Sequence, residues 1–177
     1  MNRNLWVYDI ETLCSAFTYT GLNIDTQEVV QFAIWQDRNE LEPFLTHLSS
    51  IKGMIGFNNL SFDYPVIHHI LQFRDEYLAM DSYEIVNDIY SEAQDVITDE
   101  WSGIKDKFIK IPQLDLFRIW HYNNKARMTS LKKLQIALRY PNVQDMPYKH
   151  DEEIFYEEQL QEILDYNLND VKSTYDF

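Results

Sequence analysis

The sequence contains few of the residues that mark secreted, zinc-binding or membrane-spanning proteins. Its one cysteine, Cys14, excludes an internal disulfide and a zinc–cysteine cluster. Only four glycines occur in 177 residues, and no segment rich in glycine, serine or proline indicates a linker. The longest apolar runs have the length of a strand, and the first residues lack the apolar stretch of a signal peptide. We therefore expect a cytoplasmic protein without a membrane segment.

The composition is that of a globular domain. Hydrophobic residues make up 45% of the chain and aromatic residues 15%, which is sufficient for a buried core. A length of 177 residues fits one folding unit. We predict a single domain over residues 1–177.

The net charge of −14 is unfavourable for binding a polyanion, but the charge is unevenly distributed. Residues 101–150 contain ten Lys or Arg and three acids, whereas the rest of the chain contains five Lys or Arg and 26 acids. A basic middle segment could steer a nucleic-acid strand, and metal ions would offset clustered carboxylates. The alternative is that the basic stretch is only solvated surface, and for any single lysine we favour that interpretation.

Hydrophobic periodicity predicts strands and helices in alternation. Strands are predicted over Leu5–Ile10, near Phe17–Leu22, over Glu28–Trp35, over Gly53–Phe57, and over Phe108–Leu116 before a short helix. Helices are predicted over 40–51, over 64–77, over the acidic segment 82–100, after a cap at Thr129 or Ser130, and from near Asp151 to the end. This order predicts an α/β or α+β domain with a mixed central sheet flanked by helices.

Two acidic residues end the first predicted strand. Asp9 and Glu11 flank Ile10, and the alternation of side chains along a strand directs both carboxylates to one side. A bound cation would explain this mutually repulsive arrangement. Taken alone, an Asp-x-Glu sequence is more often a solvated strand end.

Two further acids stand beside apolar elements. Asp63 begins a predicted helix just after the short central strand, where an acid is also an ordinary N-cap. Asp170 follows Tyr166 by four residues on the last helix, so the two share one helix face beside an apolar stripe. Taken alone, Tyr166 would more often be a core aromatic residue.

In this order, the acids match three short motifs. The motifs are Asp9-Ile10-Glu11, the segment 58–63 that ends in Phe-Asp, and Tyr166-x-x-x-Asp170. With them the sequence resembles the DEDD-type 3′→5′ exonucleases of the ribonuclease H-like fold. Asp165 stands where one subtype has histidine, so the sequence is similar to the tyrosine subtype. Within it, the sequence most resembles the proofreading domains of phage-type family B DNA polymerases.

The resemblance implies a ribonuclease H-like fold and a two-metal mechanism. Two divalent ions, Mg²⁺ or Mn²⁺, would activate the attacking water and stabilise the leaving 3′ oxygen. Asp9 would bridge both ions, Glu11 and Asp170 would hold the ion that activates water, and Asp63 would support the second ion. Tyr166, neutral with an ordinary pKa near 10, would orient the nucleophile without taking its proton.

The resemblance also implies substrate contacts. Asn59 and Phe62 would contact the terminal nucleotides, with the ring of Phe62 stacking on a base or sugar; a core position is an equal alternative for Phe62. Thr12 would touch the 3′ end. Lys149, in the loop before the last helix, would neutralise charge on the scissile phosphate, although surface solvation is the simpler explanation.

The expected function is removal of nucleotides from the single-stranded 3′ end of DNA, in proofreading or end-trimming. An RNA-directed exoribonuclease of the same superfamily and a catalytically silent nucleic-acid-binding or polymerase-scaffold module stay open as alternatives. Polymerase motifs are absent and the chain ends seven residues after Asp170. We therefore expect either a free-standing exonuclease, with a DNA polymerase as a possible partner, or one domain of a longer polymerase. A phage origin would place it in an infected bacterial cell. The acidic segment 75–107 has no assigned role.

Overall fold

The computed structural model describes residues 3–98, 108–122 and 129–177. Six strands lie in these ranges: β1 (Leu5–Leu13), β2 (Ala16–Asn23), β3 (Val29–Trp35), β4 (Arg38–Asn39), β5 (Gly53–Gly56) and β6 (Gln113–Asp115). They form one sheet in the order β4-β3-β2-β1-β5-β6. Strands β1 to β4 pair antiparallel in sequence order, whereas β5 pairs in parallel with both β1 and β6. The prediction of a mixed sheet is confirmed.

The described helices cover both faces of the sheet. They are α1 (Leu41–Ser50), α2 (Asp63–Gln72), α3 (Arg74–Tyr77), α4 (Ser82–Thr98), α5 (Leu116–Trp120), α6 (Leu131–Ala137) and α7 (Glu157–Asp176). Helices α1, α2 and α4 share the main core with one face of the sheet, and α7 packs across β1 and β2 on the other. None of these helices combines the length and hydrophobicity that crossing a membrane requires.

Strand β1 contributes to the cores on both faces. Tyr8 and Ile10 point into the main core with α1, α2 and α4. Val7 and Leu13 point the other way and join the apolar clusters that hold α7. Because side chains alternate along a strand, Asp9 and Glu11 lie on the face that α7 covers.

The last helix begins later than the sequence predicts. It was expected near Asp151 but starts at Glu157. The intervening chain runs beside the sheet, where Ile154 is buried and its carbonyl oxygen accepts the indole N–H of Trp35 at 2.9 Å. The N–H of Ile154 donates to the hydroxyl of Ser15 at 2.8 Å. These contacts occupy the backbone groups that a helix from 151 would have used.

Other predicted elements need smaller corrections. The helix predicted over 64–77 is interrupted at Phe73, and the strand predicted over 108–116 is confined to Gln113–Asp115 before the short α5. The acidic helix is confirmed up to Thr98, and its predicted end at 99–100 lies outside the described residues, as do 101–107 and 123–128 of the basic stretch. Ser130 caps α6 as predicted, accepting the N–H of Lys133.

The hydroxyl of Tyr64 joins α2 to the segment that enters β6. Its side chain is fully buried, and its oxygen accepts the backbone N–H groups of Lys110 at 2.8 Å and Ile111 at 3.0 Å. A buried N–H without an acceptor costs about 1–3 kcal/mol. The tyrosine oxygen therefore holds β6, and the residues that follow it, at the edge of the sheet.

Replacing Tyr64 with Phe tests this connection. Tyr64→Phe keeps the ring but leaves two backbone donors without their acceptor, so the free energy of unfolding in urea should fall by about 1–3 kcal/mol. Tyr83→Phe is the matched control, because Tyr83 is 77% exposed and its substitution should change stability by less than about 0.5 kcal/mol. Equal stabilities for the two variants would contradict the assignment.

Candidate active site

Acidic residues lie together at the carboxyl ends of the parallel strands β1, β5 and β6. Asp9 and Glu11 lie on β1 beyond Val7, the last β1 residue paired with β5. Asp63 is the first residue of α2, after β5, and Asp115 is the last residue of β6. Parallel strands present their carboxyl ends at a common edge, where open α/β sheets bind ligands. The topology thus brings segments from three strands to one place.

Asp63 is joined directly to the end of β1. Its Oδ1 accepts the backbone N–H of Ile10 at 3.3 Å. Burial is the main cause of the raised pKa of Asp9, and the charge of Asp63 is the next largest. The two carboxyl groups therefore lie close enough for their charges to repel each other.

Helix α7 is fixed over the two acids of β1 by apolar contacts on either side of them. Leu13 packs with Ile163 and its neighbours towards the start of the helix, and Val7 packs with Val171 near its end. Between these contacts, the amide of Asn167 donates to Oδ2 of Asp9 at 2.6 Å. The hydrophobic contacts thus set the position of the polar ones.

Asp170 faces the same cluster from α7 and has its own partners. The buried amide of Gln135 donates to Oδ1 of Asp170 at 2.9 Å and to the hydroxyl of Ser173 at 2.8 Å. Burial raises the pKa of Asp170, whereas the amide of Gln135, the phenol of Tyr166 and the ammonium group of Lys132 lower it.

The pKa values show that the four predicted acids lie within electrostatic reach of one another. Burial raises the pKa of Asp9, and the charges of Asp63, Glu11 and Asp170 raise it further. The pKa of Glu11 is raised by burial and then by Asp170 and Asp63. Burial raises the pKa of Asp63 to about 6, with a smaller contribution from the charge of Asp115. Acids far apart in sequence therefore form one repulsive cluster.

The pKa expected for Tyr166 needs correction. Sequence reasoning gave it an ordinary value near 10, but burial and the charges of Asp170 and Glu11 raise the pKa of the phenol well above that value. The hydroxyl stays protonated at any physiological pH, and it cannot act as a general base.

Two of the four predicted substrate contacts are buried. Thr12 is 2% exposed, and Asn59 has no exposed surface. The amide of Asn59 donates to Oε1 of Gln113 at 2.8 Å and to the hydroxyl of Tyr8 at 3.3 Å. Gly56 leaves room for this fold-back, because a Cβ there would lie 2.6 Å from that of Asn59. Asn59 thus braces the loop between β5 and α2 where a nucleotide contact was expected.

The other two predicted contacts remain accessible in part or in full. Phe62 is half-buried against the main core. Lys149 is exposed in a turn, where its backbone N–H donates to Glu152. Lys132, which sequence reasoning did not single out, is the lysine whose charge acts on Asp170.

Gln135 and Asn167 were also missed. Each is a polar residue inside an apolar stripe of its helix, and each donates a hydrogen bond to an acid of the cluster. A polar residue at a predicted core position is the signal that could have identified both.

The donor set fits a hard divalent cation. All the clustered side chains offer carboxylate oxygens, the ligands that Mg²⁺ and Mn²⁺ prefer. Among the described residues, no three His, Cys, Asp or Glu side chains stand close enough to hold an ion as they are. Instead, protein donors occupy Asp9, Asp63 and Asp170, and Oδ1 of Asn167 is buried beside Asp9 without a hydrogen-bond donor. Holding an ion would therefore require carboxylates to exchange these partners for the cation.

Residues 17–177 match the profile of a protein family described as a predicted 3′-5′ exonuclease related to the exonuclease domain of PolB. The chain belongs to this exonuclease family. Its six-stranded mixed sheet with helices on both faces is consistent with the ribonuclease H-like fold of that domain. No curated protein matches the chain.

The part of the chain matched by the exonuclease family includes Asp63, Tyr166 and Asp170 but begins after β1. Asp9 and Glu11 therefore join the cluster on structural grounds alone. Their side chains come from the strand next to β5 and face the helix that carries Asp170.

The raised pKa values predict how Asp63→Asn changes stability with pH in the absence of metal. In the wild type, the pKa of Asp63 is about 6 in the folded state against an ordinary value of 3.8. Folded protein thus holds the proton more tightly, and wild-type stability falls as pH rises through this window. Asparagine keeps an oxygen for Ile10 and carries no charge. We expect the variant to gain on the order of 1–3 kcal/mol relative to wild type between pH 4 and pH 7.

Urea denaturation in the presence of a chelator measures this difference. Asp37→Asn, at an exposed acid on the β3–β4 turn, is the control, and it should change the free energy of unfolding by less than about 0.5 kcal/mol. A pH-independent difference for Asp63→Asn would show that the pKa of Asp63 is not raised in the folded protein.

Proposed function

We propose that the chain is a two-metal-ion 3′→5′ exonuclease of the tyrosine subtype that hydrolyses single-stranded DNA ends and releases nucleoside monophosphates. The observation that carries the proposal is the cluster of four acids from distant segments, with a protonated tyrosine beside it. Membership in a family of predicted 3′-5′ exonucleases supports the direction of attack.

Asp9, Glu11, Asp63 and Asp170 would hold two Mg²⁺ or Mn²⁺ ions. Asp9 would be the shared ligand, because its pKa responds to the charges of the other three acids. When bound, the ions supply positive charge that makes a water nucleophilic and stabilises the leaving oxygen. The same charge would offset the cost of burying the four carboxylates and would relieve the repulsion that raises the pKa values of Asp9 and Glu11.

Tyr166 would orient the attacking water. Burial and the nearby charge of Asp170 raise its pKa, so it keeps its proton beside that carboxyl group. The phenolic oxygen retains lone pairs that can accept a hydrogen bond from water. The residue would thus fix the direction of the nucleophile without removing its proton.

The family relationship favours a DNA strand as the substrate, and a nearby lysine suits the phosphate group that DNA and RNA share. The family is related to the exonuclease domain of PolB, and its name refers to a DNA polymerase. Lys132 supplies positive charge beside Asp170, although it also forms an ion pair with Asp145. A lysine there could offset charge on the scissile phosphate, the role that sequence reasoning gave to Lys149.

Degradation of a 5′-labelled single strand tests the proposal. With Mg²⁺, the protein should shorten the strand stepwise from its 3′ end. Asp9→Asn should lower the rate on the order of a thousand-fold, which corresponds to about 4 kcal/mol of transition-state stabilisation. Asp37→Asn should cleave at the wild-type rate. Equal rates for wild type and Asp9→Asn would refute the proposal.

A matched ribo-oligonucleotide distinguishes the two nucleic acids. Faster cleavage of the deoxy strand is expected. Faster cleavage of the RNA strand would replace DNA with RNA as the substrate and leave the mechanism unchanged. No cleavage of either strand, at any divalent ion tested, would favour the silent binding module.

A further inference from the structure

We propose that a groove at the amino-terminal edge of the parallel strands docks a short acidic and aliphatic segment of a partner protein. The groove has a volume of about 410 Å³, which lies within the range of pockets that hold ligands. Its lining includes Ile51, which precedes β5, and Ile111 and Pro112, which precede β6. The acid cluster lies at the opposite, carboxyl ends of these strands. A partner in the groove would therefore leave the acids open to a substrate strand.

Hydrogen bonds fix the walls of the groove before any partner binds. The buried hydroxyl of Tyr64 accepts the backbone N–H groups of Lys110 and Ile111. The ammonium group of Lys110 donates to the carbonyl oxygen of Leu71, near the end of α2, at 3.1 Å. A binding surface whose shape is set in the free protein loses less conformational entropy when a partner binds.

The apolar lining of the groove is aliphatic. Among the residues that the structure describes, it contains no aromatic ring and no acid, and its apolar members are Leu45, Leu48, Ile51, Leu71, Ile111 and Pro112. Single-stranded nucleic acids bind proteins largely by stacking their bases on aromatic rings, and this surface offers none. Leucine or isoleucine side chains of a peptide can bury apolar area there without a ring. The lining therefore favours a protein segment over a nucleic acid.

Two cations line the groove of a protein that is acidic as a whole. They are Arg74 and Lys110, in a chain with 29 acids and 15 Lys or Arg. Arg74 contacts Asp75 at 3.2 Å, but the two side chains are 61% and 89% exposed. Exposed ion pairs contribute little to stability, so a carboxylate of a partner can replace Asp75. Carboxylates flanking an aliphatic side chain thus complement both the charge and the floor of the groove.

A second copy of the chain fits the groove less well than a different protein. In a symmetric dimer through this face, Arg74 and Lys110 would meet their equivalents in the other copy. The net charge of −14 on each copy would add repulsion. A short acidic segment avoids most of that repulsion, because charges more than about 8 Å apart are largely screened at physiological salt.

Selection from a phage-displayed library of random peptides tests the docking site. Wild-type protein should enrich peptides that combine Asp or Glu with Leu, Ile or Val, and a labelled synthetic copy of the most enriched peptide then serves as the probe. Arg74→Glu should raise its Kd about tenfold in an anisotropy titration. The double variant Arg74→Glu/Lys110→Glu should raise the Kd further.

Matched variants separate the groove from the rest of the surface. Lys133→Glu/Arg139→Glu reverses two exposed cations outside the groove and should leave the Kd of the peptide unchanged. Urea unfolding checks that each variant is folded. If loss of the contact between Lys110 and Leu71 destabilises the double variant, Arg74→Glu still decides, because it changes only an exposed side chain.

Three results would overturn the inference. One is an enriched peptide that binds Arg74→Glu as tightly as wild type, and another is a selection that enriches no acidic and aliphatic sequence. The third is a labelled oligothymidylate whose binding is lost in the groove variants only, which would assign the groove to nucleic acid. These titrations need no catalysis, so their outcome is independent of whether the proposed function holds.

Discussion

Four buried carboxyl groups lie close to one another in this fold, and the surrounding structure has to hold them there against their mutual repulsion. Burial raises the pKa values of four acids from three separate elements, and the charges of neighbouring acids raise those of Asp9, Glu11 and Asp63 further. Such a cluster is unfavourable unless the fold enforces it. The enforcement is hydrophobic, because apolar contacts on both sides of the acid pair hold α7 across β1. Hydrophobic packing thus keeps the carboxyl groups close together, and a bound cation would relieve the repulsion between them.

Hydrogen-bond donors of the protein hold three of the four acids when no cation is bound. Asn167 donates to Asp9, Gln135 donates to Asp170, and the N–H of Ile10 donates to Asp63. These donors stabilise the carboxyl groups without neutralising them, and they keep each one close to the common centre. An ion bound by these carboxyl groups would stabilise the folded protein, because a ligand that binds only the native state raises its stability.

The periodicity of side chains in strands and helices accounts for the parts of this site that the sequence predicts. Strand alternation directs Asp9 and Glu11 to one face, and helical spacing aligns Tyr166 with Asp170. Long-range packing decides the rest. Whether Asn59 meets solvent depends on how the loop after β5 folds back on Tyr8. Lys132 reaches Asp170 only because α6 packs on α7, and no spacing within the sequence predicts that contact.

If Asp9, Glu11, Asp63 and Asp170 together hold two divalent ions, as we propose, anomalous diffraction from crystals soaked in Mn²⁺ should reveal them. We expect two manganese peaks enclosed by these four carboxyl groups, with the amide of Asn167 displaced from Asp9. Manganese bound only elsewhere on the surface, with these carboxyl groups still joined to their protein donors, would contradict this proposal.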